Sequence, residues 1–411
     1  MTARIRLRRS TAPDPRFVYR LNGFMQGVSF GAFGLAAVVW WVVDLELSPL
    51  RLIVLGTVME GMVLLSESPT GVVADVFSRK WSIVASWVIM GISQLLTPVS
   101  DLLPVILIWQ TLWGFGYTFQ SGADTAWVTD EIGEEDDSLV MSKAVATAVG
   151  VIVGIVGVMI VSRWSLTGTI SASGLVALCF AVWLAMRMPE TNFTPVDRVD
   201  RSTSSAMVDT WRRGFTLVRK VRVTRILIVA TVMVSMVNEL VDRLDFVRMR
   251  DVGFPDLNGA DSATLFGAVW IGMTLLGLPI MIFFSRAAEQ SDRRSARLVV
   301  GLLGLSAIGV ALMATNVFVL ALLGWVLRDV FRELVEPVGE AWFNRYAESD
   351  IRATVISFRT QSMALGEIFG GLCFGLVAEL LSVRLAFVAG AGLLALAVLQ
   401  VSRLLRVETV T

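Results

Sequence analysis

Gly71-Val-Val-Ala-Asp75-Val-Phe-Ser-Arg79-Lys80 is a short polar stretch between two long apolar segments, and a degenerate copy, Ser285-Arg-Ala-Ala-Glu289-Gln-Ser-Asp-Arg293-Arg294, recurs 214 residues further on between two more. A loop repeated at half-chain spacing in a membrane protein points to two similar helical bundles. Such bundles, meeting near the bilayer midplane, can rock around one central site and expose it to each side in turn. The repeat extends past the loops, because Ala126-Trp127 is matched by Ala341-Trp342 at a shift of 215, under which Asp130 falls on Arg345. Equivalent positions beside the two basic loops thus carry opposite signs. The reading expects Asp130 to pair with Arg79 and Arg345 with Glu289, latching one conformation; the plainer alternative is that these charges anchor the loops to headgroups and water.

Composition sets the class. Of 411 residues, 55% are apolar and 17% charged, and a mean hydropathy of +0.70 belongs to an integral membrane protein, not to a soluble domain. About 20 apolar residues cross a hydrocarbon core of roughly 30 Å as a helix. Segments of that kind lie near 17–43, 50–74, 81–98, 102–125, 143–162, 167–187, 223–244, 262–285, 297–315, 317–339, 353–381 and 384–404. The expected fold is all-α, with twelve membrane helices in two pseudo-symmetric six-helix bundles. The longest polar stretch, with Pro189, Pro195 and the run Ser202 to Ser205, divides the chain into an N-terminal bundle (1–187), a linker (188–222) and a C-terminal bundle (223–411). In the linker, Trp211 to Lys220 mixes apolar and cationic residues at helical spacing and reads as an interfacial helix on the lipid surface.

Lys and Arg near span ends are retained on the cytoplasmic side. One side holds Arg4, Arg6, Arg8, Arg9, Arg16, Arg20, Arg79, Lys80, the group from Arg187 to Arg225, and Arg286, Arg293, Arg294 and Arg297. The other holds Arg51, Arg163, Arg384 and the acid-diluted Arg243, Arg248 and Arg250. Both termini of this multi-pass protein of the cell (plasma or inner) membrane are therefore expected in the cytoplasm. The basic N-terminus is not followed by the short apolar core and cleavage site of a signal peptide, so the first span is expected to stay in place.

Several chemistries are excluded or disfavoured. Lysine and arginine balance aspartate and glutamate at 35 each, and no nucleic-acid module is present. The two cysteines, Cys179 and Cys373, fall in spans of different halves without metal-ligand spacing and read as packed side chains. Gly27-Val-Ser29-Phe-Gly31 matches a nucleophile elbow, but a chain with no histidine cannot build a Ser-His-Asp triad. Neither a phosphate-binding loop nor a cofactor or metal motif is found, so the chain does not read as an enzyme. Without histidine, proton chemistry must rest on carboxylates.

A charge inside a span is costly and usually faces a cavity or a partner. The seventh span holds Asn238, Glu239, Asp242, Arg243 and Asp245; Glu239 and Arg243 share a face at i, i+4, leaving Asp242 available to a proton or a cation. In the tenth span, Asp329, Glu333, Glu336 and Glu340 form an acidic stripe flanked by Arg328 and Arg332, an acidic excess that proton binding would relieve. The matching residues of the first half, Trp113, Gly114 and Tyr117, are uncharged, so the bundles have specialised. In the second span Glu60 and Glu67 share a face, with Glu60 near mid-membrane the sharper proton candidate. Glu67 and Asp124 lie nearer the cytoplasm and could serve the latch instead. Arg359 and Glu367 in the eleventh span are candidates to complete ion pairs across the cavity.

The Gly71–Lys80 loop resembles the signature loop of the major facilitator superfamily, Gly-x-x-x-Asp-x-x-Gly-Arg-Lys/Arg, with Ser78 where glycine is usual, and the resemblance covers nearly the whole chain. Within that superfamily, Glu67-Ser-Pro-Thr-Gly71, Ser121-Gly-Ala-Asp-Thr-Ala-Trp127 and Asp242-Arg-Leu244 are similar to bacterial drug-efflux permeases of the multidrug and tetracycline type. The resemblance implies alternating access, with Gly71 permitting close helix approach, Asp75 facing the start of the eleventh span, and Arg79 gripping an acid at the end of the fourth, here Asp130. Two features depart from it. Gln110-Thr-Leu-Trp113-Gly114-Phe-Gly116 has glutamine where proton-coupled members carry arginine. The fifth span reads Gly150-x-x-x-Gly154-x-x-Gly157 without the antiporter proline, although its glycines still suit close packing. With 17 Met, 13 Trp and 22 Phe available to an adaptable cavity, the expected function is export of small hydrophobic or cationic compounds in exchange for protons by a monomer in the lipid bilayer. Proton-coupled uptake of a small metabolite and a non-transporting scaffold or sensor are the alternatives.

Overall fold

The computed structural model describes residues 13–133, 137–195, 212, 222–255, 259–285, 292–344 and 352–406. Thirteen α-helices run through them: α1 (Pro15–Val39), extended by a π turn (Trp40–Asp44), α2 (Pro49–Val76), α3 (Arg79–Leu96), α4 (Leu103–Thr118), α5 (Ala123–Ile132), α6 (Asp137–Val161) and α7 (Leu166–Arg187); then α8 (Arg222–Asp251), α9 (Gly259–Ser285), α10 (Asp292–Met313), α11 (Phe318–Asn344), α12 (Arg352–Leu380) and α13 (Val383–Ser402). Helices are the natural outcome because lipid offers no partner to backbone polar groups. Pro15 and Pro49 open their helices, and the hydroxyls of Ser78, Ser165 and Ser382 accept from backbone N–H groups at helix starts.

Ten helical stretches are long and apolar enough to cross a bilayer. The other two spans are atypical for identifiable reasons. The tenth, α11, carries Arg328, Asp329 and Arg332 through its middle. The fourth is divided into α4 and α5 at Gly122, whose φ of 76° favours a residue without Cβ. Carbonyls at this break are satisfied from neighbouring helices: Thr70 Oγ1 donates to Thr118 O at 3.0 Å and Ser82 Oγ donates to Phe119 O at 2.7 Å. The linker helix expected between Trp211 and Lys220 lies outside the described residues.

Close packing inside each bundle depends on small residues. A Cβ added at Gly150 of α6 would stand 2.0 Å from Phe24 O of α1, and one at Gly27 would stand 2.0 Å from Thr147 O. In the second bundle, Gly309 of α10 and Gly324 of α11 face each other's backbone in the same way. Gly157 differs from its motif partners, since a Cβ there meets nothing within 4 Å. Cys179 and Cys373 are exposed, correcting the expectation that they are packed; both sit on outward faces of their helices.

The bundles meet in the half of the molecule away from the Gly71–Lys80 loop. On this far face the Cβ position at Gly375 of α12 lies 3.3 Å from Ile53 Cβ of α2, and that at Gly267 of α9 lies 2.8 Å from Ile155 of α6. Leu50 N donates to Glu379 Oε2 at 3.2 Å, and Arg250 Nη1 donates to Val42 O at 3.1 Å. Toward the loop face, one side of α2 is exposed, with Leu65 and Phe77 each 67% exposed, and a Cβ at Gly61 or Gly71 meets no described atom within 4 Å. The described bundles are closed at the far face and diverge toward the loop face. Gly150→Ala is expected to lower the thermal unfolding midpoint through overpacking of about 1–3 kcal/mol, whereas Gly157→Ala should stay within about 0.5 kcal/mol of the parent; equal losses in a thermal scan of the purified protein would contradict this packing.

Candidate functional site

At the loop face, Arg79 Nη1 lies 2.8 Å from Asp130 Oδ2 and Nη2 lies 3.6 Å from Asp75 Oδ1, with the guanidinium 5.9 Å from the centre of the Phe193 ring. Ser78 shows why a glycine is dispensable in this loop. Its φ of −177° is ordinary extended backbone, its Oγ accepts from Trp81 N at 3.0 Å, and it donates to Glu190 Oε2 at 2.6 Å. Glu190 Oε1 also accepts from Lys80 N at 2.8 Å, while Lys80 Nζ stands over the Trp81 ring. Glu131 accepts from Thr191 and Asn192, and Trp127 Nε1 donates to Pro189 O at 2.7 Å. The first residues of the linker are thereby stitched to α3 and α5. Nothing in the sequence distinguished Glu131 and Glu190 from ordinary solvated acids.

Two further candidates sit apart from this cluster. Asp124 forms an ion pair with Lys143 of α6, whose ammonium stands 4.5 Å from the centre of the Tyr19 ring. Lys143 was not singled out from the sequence, although a lysine facing an acid across a bundle is a recognisable signal. Glu67 accepts from Ser121 Oγ at 3.3 Å, beside the break in the fourth span. A Cβ at Gly71, expected to permit a close approach, meets no described atom within 4 Å. Glu289 and Arg345 lie outside the described residues, as do the side chains of Arg293, Arg294, Glu333, Glu336 and Glu340.

Among the described residues, charges also gather midway along the helices, where α8 meets α2, α11 and α12. Glu239 and Arg243 pair at 3.0 Å. Asp242 is already engaged, correcting the sequence reading: its Oδ1 accepts from Arg328 Nη1 at 3.0 Å and from Arg332 Nη1 at 3.1 Å. Arg328, with a side chain 2% exposed, also reaches Asp329 Oδ1 at 3.2 Å and Asn238 Oδ1 at 3.1 Å. The arginines of α11 thus turn to α8 as well as to their own helix, because α8 supplies the buried acid that a desolvated guanidinium needs. Glu60 of α2 faces Glu239, Asp242 and Arg243 of α8 and Glu367 of α12. Among the described residues of this cluster, six carboxyls (Glu60, Glu239, Asp242, Asp245, Asp329 and Glu367) surround three arginines (Arg243, Arg328 and Arg332). A cavity of about 80 Å³ inside the second bundle is lined by Arg328, Arg332 and Arg359 together with Asn238 and Ser306.

The first bundle presents aromatic rings instead. Trp113 stacks on Tyr117 at 5.9 Å and on Phe33 at 6.4 Å, and Phe30 stands edge-on to Trp113 at 5.5 Å. Phe30 is 38% exposed. One turn further along α1, the Cβ position at Gly34 lies 3.5 Å from Trp270 of α9, so this face of α1 borders the second bundle. Gln110, where the resemblance led to an expected arginine, is 3% exposed, and neither its Nε2 nor Trp113 Nε1 has a hydrogen-bond partner among the described residues. The aromatic wall carries no fixed charge.

A profile of the major facilitator superfamily matches residues 21–288 and 261–411. The chain belongs to the major facilitator superfamily. It is 17% identical over 363 residues to the MFS-type transporter YxaM of Bacillus subtilis (strain 168), covering 87% of this chain and 88% of that relative. Among solved structures it resembles the nucleoside transporter NupG, with a TM-score of 0.75 at 14% identity over 96% of this chain and 100% of that one. It also resembles a bacterial homologue of the human lysosomal transporter Spinster in an inward-facing, occupied conformation, with a TM-score of 0.71 at 11% identity over 96% of each chain. At these identities the structural likeness defines the fold. It is therefore an MFS-type transport protein with the twelve-helix architecture, embedded in a lipid bilayer and built to bind small molecules. Within it, Arg328→Ala strips Asp242, Asp329 and Asn238 of a buried partner, so a loss of about 3–5 kcal/mol is expected, partly recovered in Arg328→Ala/Asp242→Asn; an unchanged melting temperature for Arg328→Ala would contradict the ion-pair network.

Proposed function

We propose that this permease couples the proton gradient to the export of small hydrophobic or cationic compounds across the cell membrane, working as a monomer with both termini and the Gly71–Lys80 loop on the cytoplasmic side. The observation that carries the reading is the mid-membrane excess of carboxyls over arginines at the junction of the two bundles. A site of net negative charge favours cations, and the cation always available is the proton. In this orientation the described conformation is open to the cytoplasm, and the Arg79–Asp130 pair would hold the loop face of the first bundle as one body while the bundles rock. Phe30, exposed on the face of α1 that borders the second bundle and backed by the stacked Trp113 and Tyr117 rings, supplies flat apolar surface for ring-bearing solutes, stabilised by stacking or by cation–π attraction.

The same aromatic wall suits a second reading, uptake of a planar, hydrogen-bonding metabolite. The fold likeness to a nucleoside transporter makes nucleosides a sensible probe. Flux in proteoliposomes under an imposed pH gradient separates the two. Export predicts uphill movement of ethidium, a planar cation, against the proton flow, with Trp113→Ala raising the half-saturating concentration about two- to tenfold through the loss of roughly 0.5–1.5 kcal/mol of ring contact. Absence of ethidium flux under either gradient polarity, together with proton-driven nucleoside accumulation, would replace export with uptake.

A further inference from the structure

The glycines of the first bundle draw α6 and α7 apart. Gly154 of α6 lies against α1, its Cβ position 2.4 Å from Val28 O, and Gly174 of α7 lies against α3, its Cβ position 2.3 Å from Leu95 N. Each helix is thus held to a different partner, and α6 and α7 barely touch although a short turn joins them. Between them a slot of about 240 Å³ reaches inward to Trp87 of α3, with Ala32 of α1, Val161 of α6 and Ala177 of α7 on its walls. Gly157 also lines it, which is why a Cβ there meets no described atom within 4 Å, one turn from a glycine tightly clasped to α1. The polar groups along the slot are satisfied within the protein. Trp87 Nε1 donates to Asn22 Oδ1 at 2.9 Å, Ser29 Oγ accepts from Gln94 Nε2 at 2.8 Å, Ser173 Oγ donates to Ile170 O at 2.7 Å and Thr169 Oγ1 donates to Ser165 O at 2.7 Å. An occupant therefore finds apolar contact in place of hydrogen bonds. From Val153 to Val161 the α6 wall rises about 12 Å, within the roughly 15 Å that half of a hydrocarbon core provides. Val153 and Val176, on the rim, are exposed on the bilayer side. At the far-face end, the turn after α6 carries Trp164, 79% exposed, and Arg163, exposed and without an ion pair among the described residues. Tryptophan and arginine at a span end suit the headgroup level of a bilayer, where the cation attracts lipid phosphate.

We infer that the slot between α6 and α7 binds one acyl chain of an anionic phospholipid from the far-face leaflet, with the lipid's phosphate at Arg163. Ordinary annular lipid lies against convex helix surface, whereas this chain enters between two helices and is covered on both sides. The opposite face of α6 forms part of the seam with the second bundle, where the Cβ position at Gly267 of α9 lies 2.8 Å from Ile155 Cγ2 and 3.5 Å from Met159 Cγ. A chain in the slot backs α6 against α9 and so braces the closed far face. The site is independent of the solute carried and of the ion that drives it.

The test is photolabelling of the full chain in phosphatidylcholine vesicles that contain phosphatidylglycerol with a diazirine in its acyl chain, mapped by mass spectrometry of the peptides. In the parent, label is expected at Val153–Val161 and Thr169–Ala177 in excess of that at Leu385 and Val388 of α13, which are exposed near the far-face end of their helix and report annular contact. Gly157→Leu, whose side chain has open slot to enter, should lower the slot label about tenfold relative to α13, the equivalent of two buried methylenes lost. Arg163→Gln, at an exposed position outside the helix packing, should lower it about fivefold at low salt, and Arg163→Lys should restore it. Equal slot labelling in the parent and Gly157→Leu would reduce the contact to annular lipid and overturn the site. Loss of label in Gly157→Leu with full labelling in Arg163→Gln would overturn the assignment of the phosphate to Arg163 and leave a neutral apolar occupant.

Discussion

A charge taken out of water into the bilayer interior must be paired or neutralised, and the centre of this molecule is organised around that constraint. Within the second bundle the solution is permanent: Asp242 accepts from Arg328 and Arg332, so α8 and α11 are joined by groups that cannot separate without stranding a buried charge. Between the bundles, Glu60 of α2 and Glu367 of α12 face the α8 cluster, where Arg243 is already paired with Glu239 and Arg332 with Asp242. The ion pairs inside the second bundle tie α8 to α11, which suits that half to move as a body in the proposed rocking mechanism.

The two bundles contribute different chemistry to that junction. The first gives rings, with Phe30, Trp113 and Tyr117 beside an uncharged Gln110; the second gives the ion pairs and most of the acids. The division follows from desolvation, since concentrating the charges on α8 and α11 lets arginines and carboxylates satisfy one another at short range. It leaves the facing wall apolar, which suits solutes with flat hydrophobic surface. The linker's attachment through Glu131 and Glu190 adds a further feature: the segment joining the bundles begins fastened to the same loop-face corner that holds Arg79 and Asp130.

Much of this architecture was legible in the sequence because the bilayer imposes strong patterns. Apolar length gave the spans, the half-chain repeat gave the two bundles, and the Gly71–Lys80 loop led to the superfamily. Charge signs at repeat-related positions pointed to Arg79 with Asp130, which stand 2.8 Å apart, and i, i+4 spacing pointed to Glu239 with Arg243. What sequence could not provide was contact between helices distant along the chain. Arg328 reads as flanking its own acidic stripe, and only the crossing of α8 and α11 brings it to Asp242. Lys143, 19 residues from Asp124, was not singled out, because only the fold brings the two together beside Tyr19 of α1. The break at Gly122 escaped the reading of one continuous fourth span, because the hydroxyls of Thr70 and Ser82 that satisfy its carbonyls come from other helices.

In the proposed coupling, protonation of the carboxyls at the bundle junction decides which face is open. Paired spin labels at Leu102 and Val317 on the far face, and at Phe77 and Arg403 on the loop face, all exposed positions, would follow both openings by electron–electron distance measurement in lipid. The account predicts opposite movements as the sample is made alkaline, with the far-face distance lengthening and the loop-face distance shortening. Distances that stay fixed across the pH range, or that lengthen together, would contradict it.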